Sequence, residues 1–260
     1  RALTHPAHST RTATAAAMRT ASVELSALFN APASHSQTGR SGPHGPTLMP
    51  EVVGVVQRPI GSWGRSDARS LYRVAVPDLI LLNGPPASGK STIATLLVAA
   101  RPLALNLDVD AVRGALGAWI ELPLESGLAA RRLAIAMATT HLVNGHDVIV
   151  PQLLARDTFV LELEAAAKQT AARFIEIALI VDRAETVRAF ESRSASPESQ
   201  QHRDAQRLVE RSGGTDGLRA THDLLMEFLD TRPNVRRVEV IRGDIESTLR
   251  LIEAAIAVVP

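Results

Sequence analysis

The distribution of apolar residues divides the chain near residue 77. From there onward, short apolar runs alternate with longer stretches in which apolar residues recur at helical spacing. The apolar runs predict strands at 79–83, 103–107, 147–151, 174–181 and 237–242. The longer stretches predict helices at 90–100, 110–116, 124–144, 156–172, 184–193, 197–211, 216–231 and 245–258. Strands that alternate with helices predict a parallel sheet with helices on both faces.

Residues 1–76 have a different composition. They are rich in Ala, Ser, Thr, His, Pro and Gly, and they carry eight arginines against three acidic residues. Such a stretch buries too little apolar surface to offset the entropy of ordering it, so we expect a low-complexity, largely disordered extension. Translated sequence upstream of a start near Met49 and a transit peptide are two other interpretations. Residues 77–260 then form the folded domain.

Composition narrows the class of protein. With 260 residues, of which 45% are apolar, the chain can form one or two domains with a real core. It contains no run of about 18 apolar residues, so no membrane partner is expected. The net charge of +1 argues against a nucleic-acid partner. Because the chain has no cysteine, disulfides, thiolate catalysis and cysteine-based zinc sites are excluded, which fits a cytoplasmic protein.

A phosphate-binding loop follows the first predicted strand. Residues 84–92 read GPPASGKST, which matches G-x-x-x-x-G-K-[ST] between a strand and a helix. Its glycines let backbone N–H groups turn toward phosphate oxygens, and the helix N-terminus faces the same point. A glycine-rich turn that binds nothing is the alternative. The residues expected to bind a nucleotide triphosphate are Gly84, Pro85, Pro86, Ala87, Ser88, Gly89, Lys90, Ser91 and Thr92. Within this loop, Lys90 is expected to contact the β- and γ-phosphates, and Ser91 to ligate Mg²⁺.

Two aspartates and an arginine follow the second predicted strand. In a parallel sheet, the carboxyl end of that strand lies on the same edge as the phosphate-binding loop. One carboxylate there can accept the proton of a hydroxyl, another can hold a water on Mg²⁺, and an arginine can bind an anionic group. We therefore expect Asp110 and Arg113 to be catalytic and Asp108 to belong to the metal site. Helix capping by either aspartate, with Arg113 exposed, is the alternative.

Residues 84–92, together with LDVDAVRGALGAW at 107–119, resemble the small P-loop kinases of the AAA ATPase type. These proteins are similar to chloramphenicol phosphotransferase, zeta toxin and gluconate kinase. The resemblance runs from about Pro77 to the C-terminus. It implies a P-loop NTPase fold of three α/β/α layers, with a five-stranded parallel sheet and a mobile helical lid that carries arginines. It also implies that Asp110 is the general base for the hydroxyl that accepts the phosphoryl group.

By the same resemblance, the lid spans about 183–213. Arg188 and Arg193 match its arginines and are expected to be catalytic. A closed lid excludes water and brings arginines to the transferring phosphate. Three further arginines recur every four residues, which is typical of a solvated helix face; they are Arg203, Arg207 and Arg211.

The third predicted strand leads into Gln152, where many of the small P-loop kinases carry an aspartate that organises Mg²⁺. Because Gln152 is neutral, Mg²⁺ would depend on Ser91, the phosphates, water and Asp108. Contact with the phosphoryl acceptor is a second interpretation of Gln152. A polar residue that only opens a loop is a third.

Taken together, these features predict an ATP- and Mg²⁺-dependent phosphotransferase that acts on a hydroxyl of a small molecule. A nucleotide-dependent ATPase or switch is one alternative, although it would need a water-activating carboxylate near the γ-phosphate. A nucleotide-binding protein without transfer chemistry is another. The identity of the phosphoryl acceptor and the oligomeric state cannot be read from these patterns, because function depends on the pocket rather than on the fold.

Overall fold

The computed structural model describes residues 76–196 and 200–258. The predicted extension therefore lies outside the described residues, except for Val76, and so do the first three residues of the helix predicted at 197–211. The strands are β1 Asp78–Asn83, β2 Leu105–Asn106, β3 Val148–Pro151, β4 Arg173–Ile180 and β5 Arg236–Glu239. The helices are α1 Lys90–Ala99, α2 Val109–Gly114, α3 Pro123–Val143, α4 Asp157–Gln169, α5 Arg183–Ala195, α6 Gln200–Arg211, α7 Gly214–Asp230 and α8 Ile245–Ala257.

The five strands form one sheet in the order β2-β3-β1-β4-β5, and every described pairing is parallel. The predicted parallel sheet is confirmed. Strand β3 lies between β1 and β2, so the carboxyl ends of these three strands are neighbours. The segments that follow them carry the phosphate-binding loop, Gln152 and Asp108. This strand order is what brings the three segments together at one edge of the sheet.

Helices cover both faces of the sheet. Strand β1 is apolar in every position from Leu79 to Leu82, so its side chains need burial on both faces. Leu79 and Leu81 pack into a core with residues of α3, α4 and α7. Ile80 and Leu82 pack into a second core with residues of α1 and α8. All four side chains are fully buried, as a central parallel strand requires. Among the helices of the described segments, none is both long and apolar enough to span a membrane.

Strand β2 is shorter than the predicted strand at 103–107. It pairs only with β3 and therefore lies at the edge of the sheet. Leu103 is 71% exposed and has a positive φ of 57°, a left-handed conformation that no strand continues. The apolar run that predicted a longer strand therefore begins in a turn.

Candidate active site

The phosphate-binding loop joins β1 to α1 in a strained path. Gly84 has a φ of 158°, and a Cβ there would lie 3.0 Å from the Leu179 Cβ. Ala87 and Gly89 both have positive φ values, 59° and 88°. Gly89 is also the N-cap of α1 and provides no side chain to the first-turn N–H groups. The helix therefore begins with backbone donors that an anion can occupy.

Lys90 folds back into its own loop. Its Nζ donates hydrogen bonds to the carbonyl oxygens of Gly84, at 2.9 Å, and Pro85, at 2.7 Å. Burial is the largest cause that lowers the pKa of Lys90, and the nearby Arg193 guanidinium adds to it; together they bring it to about 7. Asp110 and Asp108 act in the opposite direction. The phosphates of a bound nucleotide would supply a negatively charged partner for the Lys90 ammonium group.

Asp108 and Asp110 have different roles in the local structure. Asp108 is the N-cap of α2, because its Oδ1 accepts hydrogen bonds from the N–H groups of Asp110 at 2.9 Å and Ala111 at 3.2 Å. Capping, the alternative interpretation, therefore applies to Asp108. Asp110 is solvent-exposed at the mouth of a cavity that it lines, and its side chain has no hydrogen-bond or ion-pair partner among the described residues. Desolvation by the surrounding protein, followed by the charge of Asp108, raises the pKa of Asp110.

Arg113 lies at the cavity but is largely engaged by the protein. It is 3% exposed, so the alternative of an exposed arginine is wrong. Its Nε donates to the Ser126 Oγ at 3.0 Å, and its Nη2 donates to the Pro123 carbonyl oxygen at 2.7 Å. The guanidinium also lies 5.4 Å from the centroid of the Trp119 ring. Arg113 therefore holds the start of α3 against α2, and only part of its guanidinium remains for a ligand.

Helices α5 and α6 cover the phosphate-binding loop, where the resemblance placed a lid. An apolar cluster joins them to α7 and to the loop; its members are Val187, Phe190, Val209 and Leu218, with Ala87 and Ala205 packed against them. Ala87 is the loop residue in this cluster, so the lid packs directly on the loop. Residues 197–199, within the expected lid, lie outside the described residues.

The two predicted lid arginines point to different places. Arg193 lines the cavity, and its guanidinium lies 5.3 Å from the centroid of the Phe190 ring. Burial lowers the pKa of Arg193, and no described residue forms a hydrogen bond or an ion pair with its guanidinium. The Arg188 side chain is 64% exposed, pairs with Glu185 at 2.6 Å and is not among the cavity residues. The structure thus brings Arg193, but not Arg188, to the loop.

The cavity between loop and lid has a volume of about 170 Å³. Its charged lining residues are Lys90, Asp108, Asp110, Arg113, Arg193 and Asp204. The rest of the lining is mainly apolar or weakly polar and comprises Pro86, Ala87, Ser91, Trp119, Pro151, Gln152, Leu153, Phe190, Ala205, Leu208 and Val209. The cavity therefore combines charges of both signs with apolar walls, in the manner of a small-molecule site.

Two charged residues of this region were missed by sequence reasoning. Asp204 lines the cavity from α6, although the arginine spacing suggested only a solvated face there. The apolar residues Ala205, Leu208 and Val209 were the available signal for a buried face. Arg131 is 7% exposed on α3, and its charge opposes the rise in the pKa of Asp110. No spacing or motif distinguishes Arg131 in the sequence.

The oxygen donors expected for Mg²⁺ do lie at the cavity. Ser91, in the first turn of α1, and Asp108 both line it. Within the described residues, no group of three or more His, Cys, Asp or Glu side chains could hold a metal ion by itself. A hydroxyl, a carboxylate and substrate phosphates form the kind of oxygen set that suits Mg²⁺. The residues therefore fit an ion that arrives with a nucleotide.

The sheet order, the loop and the covering helices define a P-loop α/β/α protein. The chain belongs to the AAA domain family, whose sequence profile matches residues 79–213, just over half of the 260 residues. A candidate kinase from Chloroflexus aurantiacus is similar in structure, with a TM-score of 0.51 and 17% identity over 72% of this chain and 100% of that chain. A gluconokinase from Sinorhizobium meliloti 1021 has a TM-score of 0.44 and 16% identity, over 70% and 93% of the two chains. No curated protein matches the sequence.

Proposed function

We propose that this protein is an ATP-dependent kinase that phosphorylates a hydroxyl of a small molecule. The observation that carries the proposal is the pair of unpartnered charges at the cavity. Among the described residues, neither the Asp110 carboxylate nor the Arg193 guanidinium has a hydrogen-bonded or ion-paired partner, yet both face the loop that holds Lys90. Arg193 is partly buried and Asp110 faces the same cavity, so ligands of opposite polarity are the natural partners of both charges.

The two charges suit the two ends of a phosphoryl transfer. Lys90 and the loop amides would hold the β- and γ-phosphates, and Arg193 would stabilise the charge that develops on the transferring group. Asp110 would accept the proton of the attacking hydroxyl. The hydroxyl oxygen forms a bond to the γ-phosphorus, the bond between that phosphorus and the bridging oxygen breaks, and ADP leaves. Because desolvation by the surrounding protein raises the pKa of Asp110, its carboxylate is a stronger base than an ordinary aspartate.

Ser91 and Asp108 would hold Mg²⁺ together with the phosphates, and the ion would neutralise phosphate charge when bound.

The folded domain and its lid would also have defined roles in the transfer. Residues 77–260 would form the catalytic domain, with a lid at about 183–213. Phe190, Leu208 and Val209 on the lid would keep water from the transferring group, because they provide an apolar wall.

A small molecule suits this site better than a polymer. The cavity of about 170 Å³ lies between the loop and the lid, and Trp119 and Leu153 add to its apolar wall. A nucleic-acid strand would need an open, positively charged groove, whereas the charged lining residues here include three acids and three bases.

The test is a coupled assay of ADP release over a panel of metabolites and antibiotics. We expect release that depends on one class of hydroxyl compound and is abolished in Lys90→Ala. Lys168→Ala is the matched control, because Lys168 is exposed and is the only other lysine of the sequence. ADP release that no compound stimulates would instead indicate an ATPase, and binding without release would indicate a nucleotide-binding protein.

A second pair of variants tests the base. Asp110→Asn should lower turnover by at least about 10²-fold while nucleotide binding persists, because it removes the proton acceptor. Asp157→Asn is its control, since Asp157 is likewise an exposed aspartate in the first turn of a helix but is not a cavity residue. Near-normal turnover of purified Asp110→Asn would remove this carboxylate from the mechanism.

A further inference from the structure

Two buried amide side chains stand side by side at the edge of the sheet where the cavity lies. Asn83, the last residue of β1, is fully buried, and Gln152, directly after β3, is 5% exposed. The pairing of Leu82 with Pro151 places Asn83 and Gln152 at the same level of neighbouring strands. Because side chains alternate along a strand, both amides project from the same face of the sheet. The hydrogen bonds of the two amides can therefore be compared directly.

The Asn83 amide is fully used by the protein. Its Nδ2 donates to the Leu154 carbonyl oxygen at 2.9 Å. Its Oδ1 accepts from the N–H groups of Gly84 and Leu154, both at 2.9 Å. Asn83 thus ties the start of the phosphate-binding loop to the segment after β3, and its role is structural.

The Gln152 amide has no such partners. Its main-chain N–H donates to the Leu82 carbonyl oxygen at 3.1 Å, but its buried Oε1 accepts no hydrogen bond from any described residue. Nor does its Nε2 donate to one. Buried polar groups in folded proteins nearly always have partners, and an unpartnered one destabilises the fold. Since Gln152 lines the cavity with Asp110 and Trp119, a ligand is the available partner.

We propose that Gln152 determines specificity for the phosphoryl acceptor, an inference that rests on the proposed kinase function. An amide presents a hydrogen-bond acceptor and a hydrogen-bond donor side by side. Its complement is a molecule with the same two groups next to the reacting hydroxyl, as in a vicinal diol or a carboxamide. A water on a cation would use only the acceptor, whereas such an organic partner uses the acceptor and the donor together.

The first part of the test measures stability without any ligand. Gln152→Met removes an unsatisfied polar group at similar volume, so the melting temperature should rise by about 2–4 °C. Asn83→Leu is the matched control and should lower it, because that variant strands the N–H groups of Gly84 and Leu154. A fall in Gln152→Met comparable to that of Asn83→Leu would overturn the proposal, since the amide would then be satisfied by the protein.

The second part measures selectivity by ligand-observed NMR with the protein bound to Mg²⁺ and a non-hydrolysable ATP analogue. Beyond one hydroxyl, glycerol and N-(2-hydroxyethyl)acetamide carry both a donor and an acceptor, whereas 2-methoxyethanol carries only an acceptor and propan-1-ol carries neither. Wild type should bind one of the first two about tenfold more tightly than either of the others, and Gln152→Met should lose that preference. The preferred probe distinguishes a diol from a carboxamide. Equal binding of all four by wild type, or a preference retained in Gln152→Met, would overturn the proposal.

Gln152→Glu separates the proposal from a role in metal binding. If Oε1 held a water on Mg²⁺, the added carboxylate would lower the Mg²⁺ concentration needed for nucleotide binding. The proposal instead predicts an unchanged Mg²⁺ requirement and weaker binding of the preferred probe, because the amide donor is lost. Selective binding without ADP release from any compound would overturn the kinase function alone. Acceptor-dependent ADP release with unselective binding would overturn the role of Gln152 alone.

Discussion

Lys90 should take up a proton when a nucleotide triphosphate binds. In the protein without nucleotide, burial and then the Arg193 guanidinium lower the pKa of Lys90 from 10.5 to about 7. Phosphate oxygens beside Nζ would return the pKa at least to its ordinary value, since an opposite charge favours the ammonium form. At about pH 8.5 Lys90 then carries almost no proton before the nucleotide binds, so binding should take up about one proton. At about pH 6 the uptake from this group should fall to about 0.1 proton.

Isothermal titration calorimetry measures this uptake directly. Titrations at one pH in buffers with different ionisation enthalpies give the number of protons as a slope. A terminal phosphate, with a second pKa near about 6, contributes little at about pH 8.5. By linkage, nucleotide affinity should weaken by about tenfold per pH unit above about pH 7. Lys168→Met should behave as wild type, because Lys168 is exposed on α4.

Two results would refute this reasoning. Uptake below about 0.3 proton at about pH 8.5, with the nucleotide bound, would mean that Lys90 is already charged before the nucleotide binds. The same uptake in Lys90→Arg would assign the proton to another group, since arginine does not titrate in this range. Asp110 is the first alternative to examine, because desolvation by the surrounding protein raises its pKa.

Two further pairs of variants test which lid arginine acts in the transfer and whether Asp108 belongs to the metal site. Arg193→Ala should lower turnover by about 10²–10³-fold, whereas Arg188→Ala should change it less than about twofold, because only Arg193 of these two lines the cavity. Equal losses of turnover for the two variants in steady-state assays would contradict this prediction. Asp108→Ala and Asp182→Ala should both lower the urea midpoint, since each aspartate caps a helix. Only Asp108→Ala should raise the Mg²⁺ concentration needed for nucleotide binding, and a similar shift in both variants would remove Asp108 from the metal site.

Much of the fold was predictable from local pattern. The apolar run from Leu79 to Leu82 could only be a strand buried on both faces, and the loop that follows it has a sequence whose backbone path is nearly obligatory. Elements further along the chain were also predicted, to within a few residues at their ends. The predicted bounds of the edge strand β2 were the least accurate, because Leu103 is apolar but lies in a turn.

The candidate site was predicted unevenly, because its residues depend on contacts between distant segments. Arg188 and Arg193 lie on one helix and match the lid pattern alike, but the rotation of α5 against the loop brings only Arg193 to the cavity. Arg113 was expected to be catalytic, yet the start of α3 occupies two of its nitrogens. Asp204 was hidden within an arginine-rich stretch. These outcomes follow from packing, which spacing along the chain does not encode.

The sequence alone determined the alternation of strands and helices and the phosphate-binding loop, because periodicity and glycine-dependent turns act over a few residues. Only the tertiary structure decided that β3 lies between β1 and β2, and hence that Gln152 stands beside Asn83. The two amides are chemically alike in sequence. What distinguishes them is which backbone groups reach them from elsewhere, since a hydrogen bond depends on positions in space that only the folded chain sets.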